Sequence, residues 1–350
     1  MRASMRRRIA LALAVAFAAD TARADILVAV PTPASGRYAS AGDSVRRGVE
    51  QAVAIINQAG GLIGEHLTVV TADDGCAQAG GERSARLLAA QKPALIVGHP
   101  CSSAAIAAAS IYASAGVLFI APNVRHPALT ATRPAPLVFR LAGRDDRQGE
   151  AAAAWLLANA PNKRAAIVHD RTAYARTIAE AAVKSLSEHG LGTAPVLTIV
   201  ASKRDYSEIA NRLKIEATEA VFFAGYPDEA AIILSGMRAA GLATSFLGSD
   251  SLTTAGFAST ASSGTSTIRA LLAADPGESS EKRAAAAVEA WAAAVRKTRS
   301  TEAVRIAASL REGSVETQAL GPISFDANGD VRGPSFTAAR PVGETWTSDR

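Results

Sequence analysis

Hydrophobic and polar positions follow two alternating patterns along this chain. Short runs rich in β-branched residues, such as ILVAVPT over 26–32, predict buried strands. Longer segments carry apolar residues at helical spacing, as from Val45 to Ile56, and predict helices. Strands that alternate with helices indicate βαβ units, in which helices cover both faces of a parallel sheet.

The alternation runs twice, with a polar junction at 144–148 between the two series. The first series predicts strands over 26–32, 67–73, 94–98, 117–122 and 137–141, with helices over 44–57 and 82–91. The second predicts strands over 165–170, 196–200, 220–225 and 245–250, with helices over 149–159, 173–189, 205–215 and 227–239. A Ser/Thr/Gly-rich stretch at 259–267 predicts a loop or linker. Helices over 283–297 and 302–311 and short strands near 321–326 and 335–341 complete the pattern.

These elements predict an α/β protein with two doubly wound parallel-sheet lobes. We expect lobe 1 to contain residues 25–143 and about 274–325, and lobe 2 to contain 144–273 and about 326–350. The chain then passes between the lobes through a three-segment hinge.

The first 24 residues have the composition of a secretory signal peptide. A start with four arginines precedes 11 apolar residues at 9–19, and Ala22 and Ala24 place small residues at a cleavage site before Asp25. The competing interpretation is a buried N-terminal helix. No Cys follows the apolar run and no second long apolar stretch occurs, so we expect a soluble exported protein without a lipid anchor.

Charge gives no indication of a nucleic-acid partner. The formal charge is +5, but the predicted signal peptide holds five arginines and one aspartate, which leaves the mature chain near +1. No basic stripe with interleaved aromatic residues occurs. We therefore expect no nucleic acid among the partners.

The segment ALIVGHPCSSA, at 94–104, places Cys101, Ser102 and Ser103 directly after a predicted strand. A serine hydrolase of this class needs Gly-x-Ser-x-Gly at such a turn, and the motif is absent. Cys76 and Cys101 form an even pair in an exported protein, for which a disulfide is the simplest prediction. Catalysis by this segment is therefore disfavoured.

Metal and cofactor sites are also disfavoured. The five histidines show no i, i+4 pair, and neither CxxC nor a phosphate-binding glycine loop occurs. We expect no metal and no cofactor.

An anion site is the third interpretation of this segment. A serine at the start of a helix offers its hydroxyl together with free backbone N–H groups. Alternatively, a serine here simply caps the helix, and Ser103 can do so while Ser102 faces a ligand. Polar and aromatic residues gather at the carboxyl ends of predicted strands, where open α/β sheets bind ligands. These residues are Ser102, Asn123 and Arg125 in lobe 1 and Tyr174, Tyr226 and Asp250 in lobe 2.

The chain resembles the periplasmic branched-chain amino-acid-binding proteins of ABC transporters, the leucine/isoleucine/valine-binding type, which have the type I periplasmic binding protein fold. Segments that carry the resemblance are SGRYASAGDSVRRGVEQAVAIINQAGGLIGEHL (35–67), DDGC (73–76), VGHPCSS (97–103), IAPNVRHPALT (120–130), FRLAGRDDRQG (139–149), AIVHDRTAYA (166–175), FAGYPDEA (223–230) and LGSD (247–250). The resemblance covers most of the mature sequence and weakens after residue 255.

The resemblance implies a role for several of these residues. It places Cys76 and Cys101 at a disulfide beside the cleft, and Ser102 at the ligand α-carboxylate. It places Asn123 where a backbone carbonyl receives the α-ammonium, and Asp250 where an acidic residue pairs with that ammonium. Tyr174 and Tyr226 match aromatic residues from the second lobe.

Two positions depart from the family pattern. Arg125 stands where a threonine is usual, and a fixed cation there repels an ammonium or clamps a carboxylate. Three orientations are open to it: into the ligand site, across the cleft to Asp250, or into solvent. Ala41 stands where an aromatic residue often covers the ligand.

The sequence therefore predicts a monomeric periplasmic solute-binding protein, without enzymatic activity, that closes on a small carboxylate-bearing ligand. An amino acid or a related keto, aromatic or dicarboxylic acid fits this description. We expect an ABC permease in the inner membrane as its partner. The alternative function is a periplasmic ligand-sensing subunit of the same fold, with a secreted α/β hydrolase as a distant third.

Overall fold

A computed structural model describes residues 25–36, 38–131, 136–191, 194–262, 267–273, 279–333 and 336–349. The predicted signal peptide, 1–24, lies outside the described residues. None of the helices within the described residues has the length and apolar character to cross a membrane.

Strands and helices alternate along most of the chain, as the sequence predicts. The strands are β1 Ile26–Thr32, β2 Leu67–Asp73, β3 Leu95–Val97, β4 Phe119–Ala121, β5 Val138–Arg140, β6 Ala165–His169, β7 Val196–Thr198, β8 Ala220–Ala224, β9 Ser245–Gly248, β10 Ile268–Ala273, β11 Ser314–Thr317, β12 Gly321–Ser324, β13 Phe336–Val342 and β14 Thr345–Ser348. The helices are α1 Ala39–Gln58, α2 Gln78–Ala89, α3 Ser102–Ser114, α4 Asp146–Asn159, α5 Ala173–Glu188, α6 Ser207–Ile215, α7 Pro227–Ala239, α8 Ala255–Ser262, α9 Ser280–Thr298 and α10 Ala303–Arg311.

The first sheet is fully parallel, with the order β2-β1-β3-β4-β5. Helices α1, α9 and α10 bury one face around Trp291, which is fully enclosed. Helices α2 and α3 bury the other face around Tyr112 and Leu88. Because both faces are covered, the inner strands β1, β3 and β4 are almost entirely runs of buried residues, whereas the edge strand β2 is only partly buried.

The second sheet has the order β14-β13-β10-β9-β8-β6-β7. Strands β6 to β10 are parallel, and β13 and β14 add an antiparallel ribbon to the edge beside β10. Helices α4 and α5 cover one face and α6 and α7 the other. The α/β fold with two doubly wound sheets is as predicted, but this sheet is mixed rather than purely parallel.

Three details of the sequence prediction are wrong. Residues 259–262 of the predicted linker belong to α8, where Ala258 and Ala261 pack into the core; residues 263–266 lie outside the described part. The prediction omitted strands β10, β11 and β14. Helices α1 and α2 begin four or five residues earlier than predicted, because alanine and glycine in their first turns carry no hydrophobic periodicity.

Strands β11 and β12 pair antiparallel in a third, two-stranded sheet that packs against the core of the first sheet. The chain passes between the two larger sheets, with the elements packed on them, three times: after β5, between β10 and α9, and between β12 and β13. A buried ionic cluster joins two of these passages. The Arg140 guanidinium contacts Asp330 at 2.6 Å, and Arg144 contacts the other oxygen of Asp330 at 3.1 Å. Thr130 donates its hydroxyl to the same carboxylate at 2.7 Å.

Arg140 also fixes the loop that follows β4. Its guanidinium donates to the carbonyl oxygens of Val124 at 3.2 Å and of His126 at 2.9 Å, on either side of Arg125. Burial lowers the pKa of Arg140, while Asp330 opposes that effect. The position of Arg125 is therefore set by a fully buried neighbour on the last strand of the first sheet.

Candidate functional site

Helix α3 begins at Ser102 with no side-chain hydrogen bond from its N-cap residue, Cys101. The expectation that Ser103 caps this helix is wrong, because its hydroxyl donates to the Cys76 carbonyl at 3.3 Å. No partner for the Ser102 hydroxyl occurs among the described residues. The first N–H groups of α3 and the Ser102 hydroxyl therefore form a donor group suited to an anion.

A disulfide between Cys76 and Cys101 holds this helix start, as the even pair of cysteines predicts. The two Cα atoms lie 5.3 Å apart, and the two cysteines are 25 residues apart in the sequence. A loop of this length stabilises a fold by about 3–4 kcal/mol in the chain-entropy model. Cys101 is consequently not a free thiol.

A buried polar chain supports the same turn from below. Nδ1 of His99 lies 2.9 Å from an Asp74 carboxylate oxygen, and Nε2 lies 2.9 Å from the Tyr112 hydroxyl. All three side chains are fully buried. The second oxygen of Asp74 accepts from the Cys76 N–H at 2.8 Å, so the chain connects both sides of the disulfide. No sequence motif pointed to this group.

Arg125 bridges two carboxylates. Its Nη1 lies 2.7 Å from Asp250, and its Nε lies 3.0 Å from Asp145. Of the three predicted orientations, solvent is excluded, since the guanidinium also stacks over the Phe336 ring at 5.0 Å. The ion pair with Asp250 joins the loop after β4 of the first sheet to the end of β9 in the second.

Asp250 is engaged on all sides. One carboxylate oxygen contacts Arg125, and the other accepts a hydrogen bond from the Tyr174 hydroxyl. Its backbone N–H donates to Oε1 of Gln148 at 3.0 Å. The Tyr226 ring lies 6.0 Å from the Tyr174 ring, and the Tyr226 side chain is partly exposed.

The structure therefore joins Arg125, Asp250, Tyr174 and Tyr226 into one cluster. Asn123 has a separate partner, since its side-chain oxygen accepts from Nε of Arg283 on α9 at 3.1 Å. Ser102 stands apart at the start of α3, and Ala41, the departure noted in the sequence, lies in the first turn of α1.

Charge and burial shift several pKa values in the cluster. Burial lowers the pKa of Arg125, but Asp250 and Asp145 outweigh it and leave a raised value. Burial raises the pKa of Asp145 against the opposing effect of Arg125. Burial and the adjacent Asp250 raise the pKa of Tyr174, so its hydroxyl remains a donor at neutral pH.

Sequence reasoning missed Asp145 and Gln148, which lie in the segment interpreted as a polar junction. Gln148 is fully buried in the first turn of α4 and orients Asp250. The only sequence signal was the polar segment 144–148 between the two strand–helix series. Its charged residues are equally typical of a binding site and of a solvent-exposed linker.

Comparison with known proteins gives a consistent result. A family model described as "Periplasmic binding protein" matches residues 25–337. The Leu/Ile/Val-binding protein homolog 3 of Brucella melitensis is 30% identical, with 94% of each chain covered.

Two solved structures share the fold. The branched-chain amino acid transporter substrate binding protein from Streptococcus pneumoniae, in complex with isoleucine, has a TM-score of 0.64 at 23% identity, covering 93% of this chain and 98% of its own. An ABC transporter solute binding protein from R. palustris, in complex with benzoate, also has a TM-score of 0.64 at 20% identity, with 93% and 95% covered.

Proposed function

Since the chain belongs to the periplasmic binding protein family, we propose that it is the solute-binding protein of an ABC uptake system. In this proposal it binds a small carboxylate-bearing ligand between the two sheets and delivers it to a membrane permease. The names of its relatives support the ligand class, because branched-chain amino acids and benzoate all carry a carboxylate.

The uncapped start of α3 is the observation that carries this proposal. The Ser102 hydroxyl and the first N–H groups of the helix are donors without a side-chain cap, and the helix dipole favours a negative charge there. The disulfide to Cys76 and the buried His99 hold these donors in place. A rigid donor group of this kind fits a carboxylate.

We infer that the chain divides into lobe 1, at 25–143 and about 274–325, and lobe 2, at 144–273 and about 326–350. The two separate sheets and the three passages between them support this division. Ligand contacts to both lobes would stabilise a closed arrangement, as expected for a hinged binding protein. The Arg125–Asp250 ion pair shows that side chains from the two sides come within contact distance.

The other site residues are assigned by their positions. Ser102 holds the carboxylate, and Asn123, after β4, belongs to the same lobe. Tyr174 and Tyr226 supply aromatic surface and a hydroxyl from the second side, and Asp250 and Arg125 set selectivity there. No reaction is assigned to the site, and the proposed location is the periplasm.

Replacing Ser102 with alanine tests the carboxylate site. A screen of amino acids and organic acids by thermal shift first selects a stabilising carboxylate. We expect Ser102→Ala to weaken its binding by about 1–3 kcal/mol, because a hydrogen bond to a charged group is lost. Isothermal titration calorimetry measures the change.

Ser110→Ala is the matched control, since Ser110 lies on an exposed part of the same helix. Its affinity should equal that of the unaltered protein. Stabilisation by uncharged compounds alone, or equal affinity of Ser102→Ala and the unaltered protein, would refute the assignment.

A further inference from the structure

Two buried hydrogen-bond donors beside Asp250 have neither a hydrogen bond nor an ion pair among the described residues. They are Nη2 of Arg125 and Nε2 of Gln148; Nε of Arg125 also lacks a hydrogen bond, but it lies 3.0 Å from an Asp145 oxygen as an ion pair. The Gln148 side chain is fully buried. An unsatisfied buried donor costs about 1–3 kcal/mol, so two in one cluster indicate a group that the protein itself does not supply.

Neighbouring contacts fix both donors in orientation. Oε1 of Gln148 accepts the Asp250 N–H, so its amide nitrogen points away from that N–H. Nη1 and Nε of Arg125 face Asp250 and Asp145, which leaves Nη2 as the remaining edge of the guanidinium. Neither side chain can turn to satisfy its donor without breaking a contact to Asp250.

Both oxygens of Asp250 are already engaged. One oxygen of Asp250 faces Arg125 and the other accepts from Tyr174. An oxygen of Asp145 faces Nε of Arg125. An ammonium group entering here would compete with a guanidinium already in place, whereas an oxygen acceptor would satisfy two waiting donors.

We propose that this end of the site binds an oxygen acceptor of the ligand through Arg125 and Gln148, so that the preferred ligands are 2-oxo acids or dicarboxylates rather than α-amino acids. This inference rests on the proposed function, because it concerns the second polar group of a ligand whose first carboxylate lies at Ser102. Arg125 and Gln148 are then the residues that determine specificity.

Asp170 supplies the competing possibility. Its Oδ2 is a buried acceptor without a hydrogen-bond partner among the described residues, while its Oδ1 accepts from Thr172. An ammonium held by Asp170 would give the opposite preference. The experiment therefore includes Asp170→Asn.

Matched ligands test the inference by isothermal titration calorimetry on the mature protein. Each set keeps one carbon skeleton and changes only the second polar group. The sets are leucine, 4-methyl-2-oxopentanoate and 4-methylpentanoate; phenylalanine, phenylpyruvate and 3-phenylpropanoate; and glutamate, 2-oxoglutarate and glutarate. We expect the 2-oxo acid of the best set to bind about 10-fold to 100-fold more tightly than its amino acid, because two charge-assisted or buried hydrogen bonds are gained.

Gln148→Glu is the specific variant, because it retains an acceptor for the Asp250 N–H and replaces the free donor by an oxygen. We expect it to weaken the 2-oxo acid about 10-fold or more. Gln148→Met removes the donor without adding charge, and should reduce the preference for the 2-oxo acid over the plain carboxylate to near unity. The plain carboxylate is the internal control for a folded site.

The outcomes separate this inference from the proposed function. Tighter binding of an amino acid than of its 2-oxo acid overturns the inference and leaves carboxylate binding intact. If Asp170→Asn abolishes that tighter binding, Asp170 holds the ammonium group; the inference is overturned in either case. In the leucine and phenylalanine sets, equal affinity of the 2-oxo acid and the plain carboxylate also overturns it. In the third set glutarate is itself a dicarboxylate, so there the deciding comparison is with glutamate. Failure of every carboxylate in all three sets overturns both.

Discussion

Arg125 is the residue that most distinguishes this site. Its guanidinium is shared by Asp145 and Asp250, and Arg140 holds the carbonyl groups on either side of it. A partly buried cation between two carboxylates stabilises both of them, and its removal leaves two like charges facing each other.

Replacing Arg125 with methionine should therefore destabilise the protein. We expect the free energy of unfolding at pH 7 to fall by about 1–3 kcal/mol, less than for a fully buried pair because the cluster is partly solvated. The deficit should shrink as the pH falls toward about 4, because burial raises the pKa of Asp145 and this carboxyl becomes neutral there. Urea unfolding at both pH values measures the change.

The double variant Arg125→Met, Asp250→Asn provides the control, since it removes one of the facing charges. It should recover part of the lost stability at pH 7. A deficit that is the same at both pH values, or no recovery in the double variant, would show that packing rather than charge causes the effect.

At this scale the sequence was informative where a residue departed from a known pattern. Arg125 stood out because a cation replaced the usual threonine, and pairing with Asp250 was one of its predicted orientations. Gln148 and Asp145 carried no such signal. The role of Gln148 depends on the approach of the segment after β9 to the start of α4, and that of Asp145 on the approach of the loop after β4. Both are tertiary contacts that local sequence does not encode.

Among the elements, the turn between β3 and α3 combines the most constraints. His99 has a φ of 49°, in the left-handed region, and its buried ring bridges Asp74 and Tyr112. Burial lowers the pKa of His99, although Asp74 acts in the opposite direction. The ring is therefore held in its neutral form in the folded protein.

This depressed pKa predicts acid sensitivity of the turn. As the pH falls through about 6.5, the unfolded chain binds a proton on this histidine that the folded protein does not. The contribution of His99 to the free energy of unfolding is thus complete above that pH and is lost as the pH falls below it. His99→Asn should lower stability at pH 8, and its free energy of unfolding should fall less steeply between pH 7 and pH 5.

Urea unfolding of both proteins at pH 8, 7, 6 and 5 measures the two slopes. Asparagine suits the comparison because it tolerates the left-handed conformation and does not titrate. Parallel slopes for His99→Asn and the unaltered protein would contradict a depressed pKa at His99.

The elements themselves were largely predictable. Strand β1 matches its predicted bounds because a buried parallel strand is a nearly continuous apolar run between turn residues. Strand β2 also matches although only its first residue is buried, because its threonine and valine residues are typical of strands. The prediction did not extend to β10, which follows directly on the Ser/Thr/Gly-rich stretch, or to β14, a half-exposed edge strand near the C-terminus. Edge strands have weak periodicity because they bury little surface.

For the whole molecule, the two sheets and three passages follow from the doubled strand–helix series, whereas the relative placement of the lobes does not. The contacts that bring them together, Arg125 to Asp250 and Arg140 to Asp330, join residues more than 100 positions apart. The sequence could identify candidate site residues in each lobe. The contacts between those residues could be determined only from the structure.

A crystal structure of the protein with its best carboxylate ligand shows whether the start of α3 is the carboxylate site. We expect the ligand carboxylate within hydrogen-bond distance, about 3 Å, of the Ser102 hydroxyl and the first N–H groups of α3. The rest of the ligand should extend toward Tyr174 and Tyr226. A ligand bound elsewhere, or one whose carboxylate lies away from α3, would refute the proposed carboxylate site.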